Sequence, residues 1–386
     1  MNWIKNSLSM NNPIDSKEIL HCLALQQTPG VGLISARMLY DVFGNATDVF
    51  DHRNELVHYT QPAQRRLIKQ LDNPEAFRRA ERELEFAQKN DIDAICIGDR
   101  RYPSRLRECP DAPLALFFKG TANLNALRVV SMVGTRKSTD YGRQLCNDFI
   151  RDLKALCPEV LIVSGLAYGI DIAAHRAALD NQLPTIGVLA HGLDRIYPPV
   201  HRNTAVEMLE QGGLLTEYMS ETNPDRQNFV QRNRIVAGMA DATIVVESAS
   251  KGGALITAGL ATDYHRDCFA FPGRVGDPYS QGCNALIRDN RASLILSAED
   301  FVKAMSWDLT PATRQTPQAI QRQLFLDLSP EEETLIAALR PHRDGLQINT
   351  LVVNADIPIN RASALLFELE MKGVVKALAG GVYKVV

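Results

Sequence analysis

Short apolar runs alternating with helix-forming stretches fill the middle of the chain, whereas both ends carry helical periodicity and few strands. The runs fall at 129–133, 160–164, 185–190, 214–217, 242–247, 268–271 and 293–296, with an earlier one at 94–97. Each is four to six residues long and is followed by a turn and a helical segment, the order that builds βα units on a parallel sheet. Between the first two main runs, Tyr141, Leu145, Phe149, Ile150 and Leu153 make one apolar helix face, with Thr139 placed to cap it. The expected core is an extended Rossmann-like α/β domain over 89–305, a doubly wound and mostly parallel sheet.

The ends predict smaller units. From 1 to 88 the pattern is all-α, and Thr28-Pro29-Gly30-Val31-Gly32 between two helical stretches reads as a helix-hairpin-helix or SAM-like turn. Such a turn either grips a nucleic-acid backbone through free N–H groups or simply makes a tight αα corner. Arg65, Arg66 and Lys69 nearby read as a solvated face. Thr, Pro and Gln crowd the start of 306–328, which reads as a linker. Over 329–386, Ser329-Pro330-Glu331-Glu332-Glu333 opens one helix, two more follow at 348–354 and 359–372, and a Gly-Gly turn closes a terminal hairpin. Three helices and a hairpin make a winged helix, which serves duplex DNA or a protein partner; its would-be recognition helix offers Arg361 against Glu368 and Glu370.

Composition narrows the class. At 386 residues, 45% apolar and 23% charged, the chain has room for two or three globular domains. Its polar opening residues do not form a signal peptide and no apolar run is long enough for a bilayer, so a cytoplasmic location is expected. Seven scattered cysteines without Cys-x-x-Cys spacing read as small core residues of a reduced protein. A net charge of −3 requires any nucleic-acid contact to be a local basic groove.

Four glycine-punctuated turns follow strand-like runs: Gly134-Thr135-Arg136-Lys137, Ser164-Gly165-Leu166-Ala167-Tyr168-Gly169-Ile170-Asp171, Gly192-Leu193-Asp194-Arg195 and Ser250-Lys251-Gly252-Gly253. On a parallel sheet all four collect at the carboxyl edge, where backbone N–H groups and helix N-termini hold anions. The ligand is not a dinucleotide or a motor's ATP, because neither Gly-x-Gly-x-x-Gly after the first strand nor a Walker loop occurs. Arg136 suits phosphate oxygens, and Tyr168 offers a face for a base. Arg226, Phe229, Arg232 and Arg234 interleave cations with a ring, the composition of a single-strand groove; the alternative is ion pairs for Arg232 or Arg234 and a core position for Phe229. No Gly-x-Ser-x-Gly surrounds Ser164, and His175, in an Ala-rich helix, reads as packed.

Taken in order, these segments resemble the DNA-processing protein A family (DprA, also called Smf). The resemblance rests on Tyr102-Pro103-x-x-Leu106, Val133-Gly134-Thr135-Arg136, Ser164-Gly165-x-Ala167-x-Gly169-Ile170-Asp171, Ala174-His175, Gly192-Leu193-Asp194-x-x-Tyr197-Pro198, Glu217, Phe229-x-x-Arg232-Asn233-Arg234-Ile235, Val246-Glu247, Lys251-Gly252-Gly253 and Phe271-Pro272-Gly273, and spans about 95 to 297. It implies a non-enzymatic protein without cofactor or membrane association. Such a protein binds and protects incoming single-stranded DNA, forms a homodimer through its Rossmann-like domain and loads a RecA-type recombinase during natural transformation. By motif position, Arg136, the 165–169 loop, Arg226 and Phe229 fall where that family lines its DNA pocket. Residues and resemblance together give a DNA-binding set of Gly134, Thr135, Arg136, Lys137, Ser164, Gly165, Tyr168, Gly169, Arg195, Arg226, Phe229, Arg232, Arg234, Lys251 and Gly252. One departure is Pro199, where the family often carries a basic residue after Tyr-Pro. The rival is a Rossmann-like nucleoside-monophosphate phosphoribohydrolase, whose Pro-Gly-Gly-x-Gly-Thr-x-x-Glu loop would correspond to Lys251-Gly252-Gly253-Ala254-Leu255-Ile256-Thr257, without the catalytic Glu.

Overall fold

The structure, a computed structural model, describes residues 16–53, 55, 70–307, 328–342, 345–372, 374–378 and 381–385. Most of the linker, and Arg65, Arg66 and Lys69, lie outside the described residues. The chain divides into two compact units, one within 1–308 and one within 309–386.

The first unit opens with helices α1 (Ser16–Gln27), α2 (Leu33–Phe43), α3 (Ala46–Asp51) and α4 (Pro74–Lys89). Gly30, at φ +77°, turns the chain between α1 and α2. Asn45 caps α3 by accepting from the Asp48 N–H, while the Glu18 carboxylate accepts from the N–H groups of Ala46 and Thr47 at 2.7 and 2.9 Å. At this corner Arg37 commits its guanidinium to Asp41 and to the Arg107 carbonyl.

A mixed nine-stranded sheet follows: β1 (Asp93–Cys96), β2 (Ala115–Gly120), β3 (Val129–Val133), β4 (Leu161–Ser164), β5 (Thr185–Val188), β6 (Gly213–Thr216), β7 (Ala242–Val245), β8 (Asp267–Ala270) and β9 (Ser293–Leu294). The spatial order is β1-β2-β6-β5-β4-β3-β7-β8-β9, with β1 and β2 antiparallel additions and all other pairings parallel. The chain moves outward from β3 through β6 and then returns to the other side of β3 with β7. The topological switch point therefore lies between β3 and β7, and the crevice beyond their carboxyl ends is where doubly wound sheets take ligands. The strands other than β2 fall on the apolar runs of the sequence; β2 is an element that the alternating βα pattern does not announce.

Helices cover both faces: α5 (Ser104–Arg107), α6 (Asp140–Leu156), α7 (Ile170–Asp180), α8 (Arg202–Gln211), α9 (Arg226–Gly238), α10 (Gly253–Asp263), α11 (Gln281–Arg288) and α12 (Ala298–Ala304). On one face Val130, Met132, Ile162 and Ile244 meet Phe149 and Leu153 of α6, Ala174 of α7 and Phe301 of α12. On the other, Val163, Ile186 and Val245 meet Ile235 of α9 and Ala258 of α10, in one hydrophobic cluster that also takes in Cys22, Leu23 and Leu25 of α1. The N-terminal helices thus share apolar packing with the sheet. All seven cysteines are buried and free.

The second unit contains α13 (Pro330–Leu339), β10 (Leu346–Gln347), α14 (Ile348–Ala355), α15 (Ile359–Met371), β11 (Val375–Leu378) and β12 (Val382–Val385). Ser329 and Glu332 form a reciprocal capping box at α13, and the hairpin β11–β12 gains β10 as a third strand, completing a winged helix. Phe367 and Val353 stand exposed on its surface.

Candidate nucleic-acid interface

The switch-point crevice holds an open cleft of about 980 Å³. One wall is the 134–136 turn after β3, the second is α9, and the third is the 248–252 turn after β7 with the first turn of α10. Gly165 and Asp171 complete the floor near the start of α7.

The β3 turn is tied down from two sides. The Thr135 N–H donates to the Glu247 carbonyl at 2.7 Å, and the Thr135 carbonyl accepts from the Ile170 N–H at 3.2 Å. The Glu247 carboxylate accepts from the Thr139 N–H at 2.9 Å and from the Thr139 hydroxyl, while Thr139 caps α6. Gly169, at φ +80°, allows the α7 loop to lie against this turn; a Cβ there would sit 2.1 Å from the Thr135 carbonyl oxygen. The consequence is a rigid turn from which Arg136 projects.

Arg136 is exposed and makes no ion pair among the described residues; its guanidinium lies 4.9 Å from the Phe229 ring centroid. Phe229 in turn sits 6.0 Å from the ring of Tyr197, which precedes Pro198 through a cis peptide bond. Arg226 and Lys251 face the same cleft, likewise exposed and free of ion pairs among the described residues. Cations at the rim and neighbouring aromatic rings at the wall suit a phosphate backbone with unpaired bases.

Arg232 and Arg234 are placed differently from Arg226. Arg232 is 3% exposed and donates to the Gly165 and Val188 carbonyls, so its guanidinium forms part of the cleft floor rather than an open contact. Gly165 is a glycine for this reason: a Cβ would occupy the guanidinium's position. Arg234 is 4% exposed and forms a buried ion pair with Glu217, away from the cleft lining. Burial pushes the Asp171 carboxyl above its ordinary range, against the lowering influence of the Arg232 charge, and burial likewise lowers the Arg232 pKa. Burial also raises Glu217 despite its partner.

Ser164 is fully buried, its hydroxyl donating to the Met132 carbonyl at 2.6 Å, which removes it from any phosphate. Arg195 pairs with Asp194 at 2.8 Å and donates to Asn223, outside the cleft lining. His175 is packed: Nδ1 meets the Thr185 hydroxyl at 2.7 Å, and burial lowers its pKa to about 3. Tyr168 is half-exposed but stands on the far side of Arg136, with Lys137 and Gly169, in a second groove. Gly134, Thr135, Arg136, Gly165, Arg226, Phe229, Arg232, Lys251 and Gly252 therefore surround one cleft. Tyr197, Asn233 and Thr257 join that lining without having been singled out for it in the sequence; the 3.6-residue period from Arg226 would have found Asn233.

Replacing Glu247 by alanine removes the buried, charged acceptor of the Thr139 N–H and hydroxyl. The expected result is a loss of about 1–3 kcal/mol in stability and a several-fold weaker grip on oligonucleotides, read by thermal unfolding and fluorescence anisotropy. Unchanged values in both would show that the turn is held by its backbone bonds alone.

Comparison with known proteins completes the assignment. The family model for DNA recombination-mediator protein A matches residues 93–306, and that for the DprA winged helix domain matches residues 311–381. The DNA processing protein DprA of Bacillus subtilis is 38% identical over 226 residues, 58% of this chain and 75% of its own length. Protein Smf of Escherichia coli is 31% identical over 322 residues, covering 79% of this chain and 83% of its own. Among solved structures, DNA processing protein A from Streptococcus pneumoniae aligns with a TM-score of 0.59 at 31% identity, covering 76% of this chain and 98% of that one. The Helicobacter pylori protein, solved for its single-stranded DNA binding mode, aligns with a TM-score of 0.51 at 29% identity, covering 56% and 96%. With family-model matches across both units and a 31% identical relative covered over 83% of its length, this chain belongs to the DNA processing protein A (DprA/Smf) family.

Proposed function

We propose that this protein binds single-stranded DNA in the switch-point cleft without catalysing a reaction on it. It protects incoming strands and hands them to a RecA-type recombinase during natural transformation, working as a homodimer joined through the α/β unit. The carrying observation is the meeting of Arg136 with Phe229 at 4.9 Å beside the cations Arg226 and Lys251, unpaired among the described residues. Such a surface favours a flexible strand whose bases can turn toward the rings; in duplex DNA the bases are already stacked on one another. The Helicobacter pylori relative, described for single-stranded DNA binding, supports the choice of ligand. Two clefts in a dimer raise the effective concentration of a strand's second segment, so long strands gain most from dimerisation.

The engagement of Glu247 speaks against the hydrolase reading. Glu247, the carboxylate nearest the Lys251-Gly252-Gly253 turn in sequence, holds Thr139 through both its oxygens. The experiment is a binding titration of a single strand, the matching duplex and nucleoside monophosphates over a salt series, with free base assayed alongside. Tight single-strand binding with a salt slope and no base release is expected. Preference for duplex, or base release abolished by Lys251→Ala, overturns the proposal.

A further inference from the structure

Beside the main cleft lies a second groove of about 550 Å³, and Arg136 borders both. The groove runs between the start of α6 and the face of α7, with Val200 and His201 at its edge. Four cations line it, Arg136, Lys137, Arg143 and Arg176, against one lining carboxylate, Asp180. Arg143 is tethered to Ser138 and Asp140 at the rim. Lys137 and Arg176 form no ion pair among the described residues, and Arg176 reaches only the Thr204 hydroxyl at 3.4 Å. Tyr168 stands in this groove 49% exposed. Its ring meets His201 edge to face, with centroids 5.0 Å apart and planes 66° apart, and about half of the residue stays open to the groove.

These features repeat the logic of the main cleft: an open aromatic surface, cations around it of which Arg136, Lys137 and Arg176 are unpaired among the described residues, and little opposing charge on the lining. Resting on the single-strand reading above, we infer that this groove is a second nucleotide subsite. It takes the nucleotides of the same strand that adjoin those in the main cleft, with Arg136 gripping the phosphate between them. Tyr168 stacks one base, and Lys137 and Arg176 hold the flanking phosphates. A positively charged path that tracks the backbone past successive rings is how unspecific single-strand sites reach useful affinity. Tyr168 thus serves this outer stretch, and Phe229 the inner one.

The test uses the full chain with fluorescent oligothymidylates of graded length, from the shortest that binds measurably upward. Tyr168→Ala and Arg176→Ala, neither of which removes a buried group, are expected to bind the shortest oligonucleotide as the parent does and to bind longer ones about ten-fold more weakly, the equivalent of one base stack or phosphate contact. Tyr168→Phe is expected to retain most of the affinity, since the ring face is what it offers. A fluorescent base analogue moved along the strand should be quenched at one position by the parent and Tyr168→Phe and released in Tyr168→Ala. Equal weakening at all lengths, no weakening at any length, or a quench indifferent to Tyr168 would overturn the second subsite. Phe229→Ala separates the two readings: it should weaken every length, and if it weakens none while the parent binds tightly, the main cleft itself is misassigned.

Discussion

Arg136→Ala is expected to weaken binding of a single-stranded oligonucleotide by about 1–3 kcal/mol, roughly 5- to 150-fold. The slope of log affinity against log salt should become shallower by about 0.7 for each phosphate that the variant no longer neutralises. The side chain is exposed and unpaired among the described residues, it sits over Phe229, and it borders both grooves, so its removal opens the junction of the path without disturbing the core. Stability should therefore stay within about 0.5 kcal/mol of the parent. Anisotropy titrations at several salt concentrations read both affinity and slope. Should both remain as in the parent, the strand does not cross this turn.

The opposite profile is expected for Glu217→Ala. Arg234 and Glu217 are each almost wholly enclosed, and Arg234 Nε and Nη1 have no hydrogen-bond partner among the described residues. Removing the carboxylate leaves an uncompensated buried guanidinium, a change that destabilises by about 3–5 kcal/mol. Urea unfolding followed by circular dichroism should show the α/β unit giving way at much lower denaturant. The protein that remains folded should bind the oligonucleotide within a few-fold of the parent, because neither side chain lines the cleft. Replacing both partners with apolar residues of similar size should recover most of the stability, since the desolvation of two charges disappears with them. A Glu217→Ala protein as stable as its parent would mean that Arg234 reaches water by another route.

These two arginines, 136 and 234, show how far the sequence could be read. The inner parallel strands, β3 to β7, are visible because each is a short apolar run enclosed on both faces, such as 129–133, which is buried throughout. The loops after them are visible because glycine and charge follow the run directly. β2 escapes because it pairs antiparallel with β1 and β6 and carries no crossover helix to mark it. The basic segment of α9 is legible as composition but not as direction: in a helix, Arg226, Phe229, Val230 and Asn233 share one face toward the cleft, and Arg232 and Arg234 fall on its two flanks, where they turn inward. Ser164 misleads in a similar way. It sits at a strand end beside the loop glycines, yet the neighbouring strand's Met132 carbonyl claims its hydroxyl. Tyr168 and Phe229 both read as stacking rings, and only the packing of α7 separates them onto opposite sides of Arg136.

The switch point has a consequence for how the molecule comes into being. Its walls are contributed by the turn after β3 and the turn after β7, more than a hundred positions apart in the chain, and they are clasped together by Glu247 on Thr139. Contacts so distant in sequence close late, because a long loop must be ordered before they form. On the proposed site, a polypeptide emerging from the ribosome completes its cleft only once β7 has docked beside β3. A fragment ending before that strand would be a nearly complete half-sheet unable to hold its ligand.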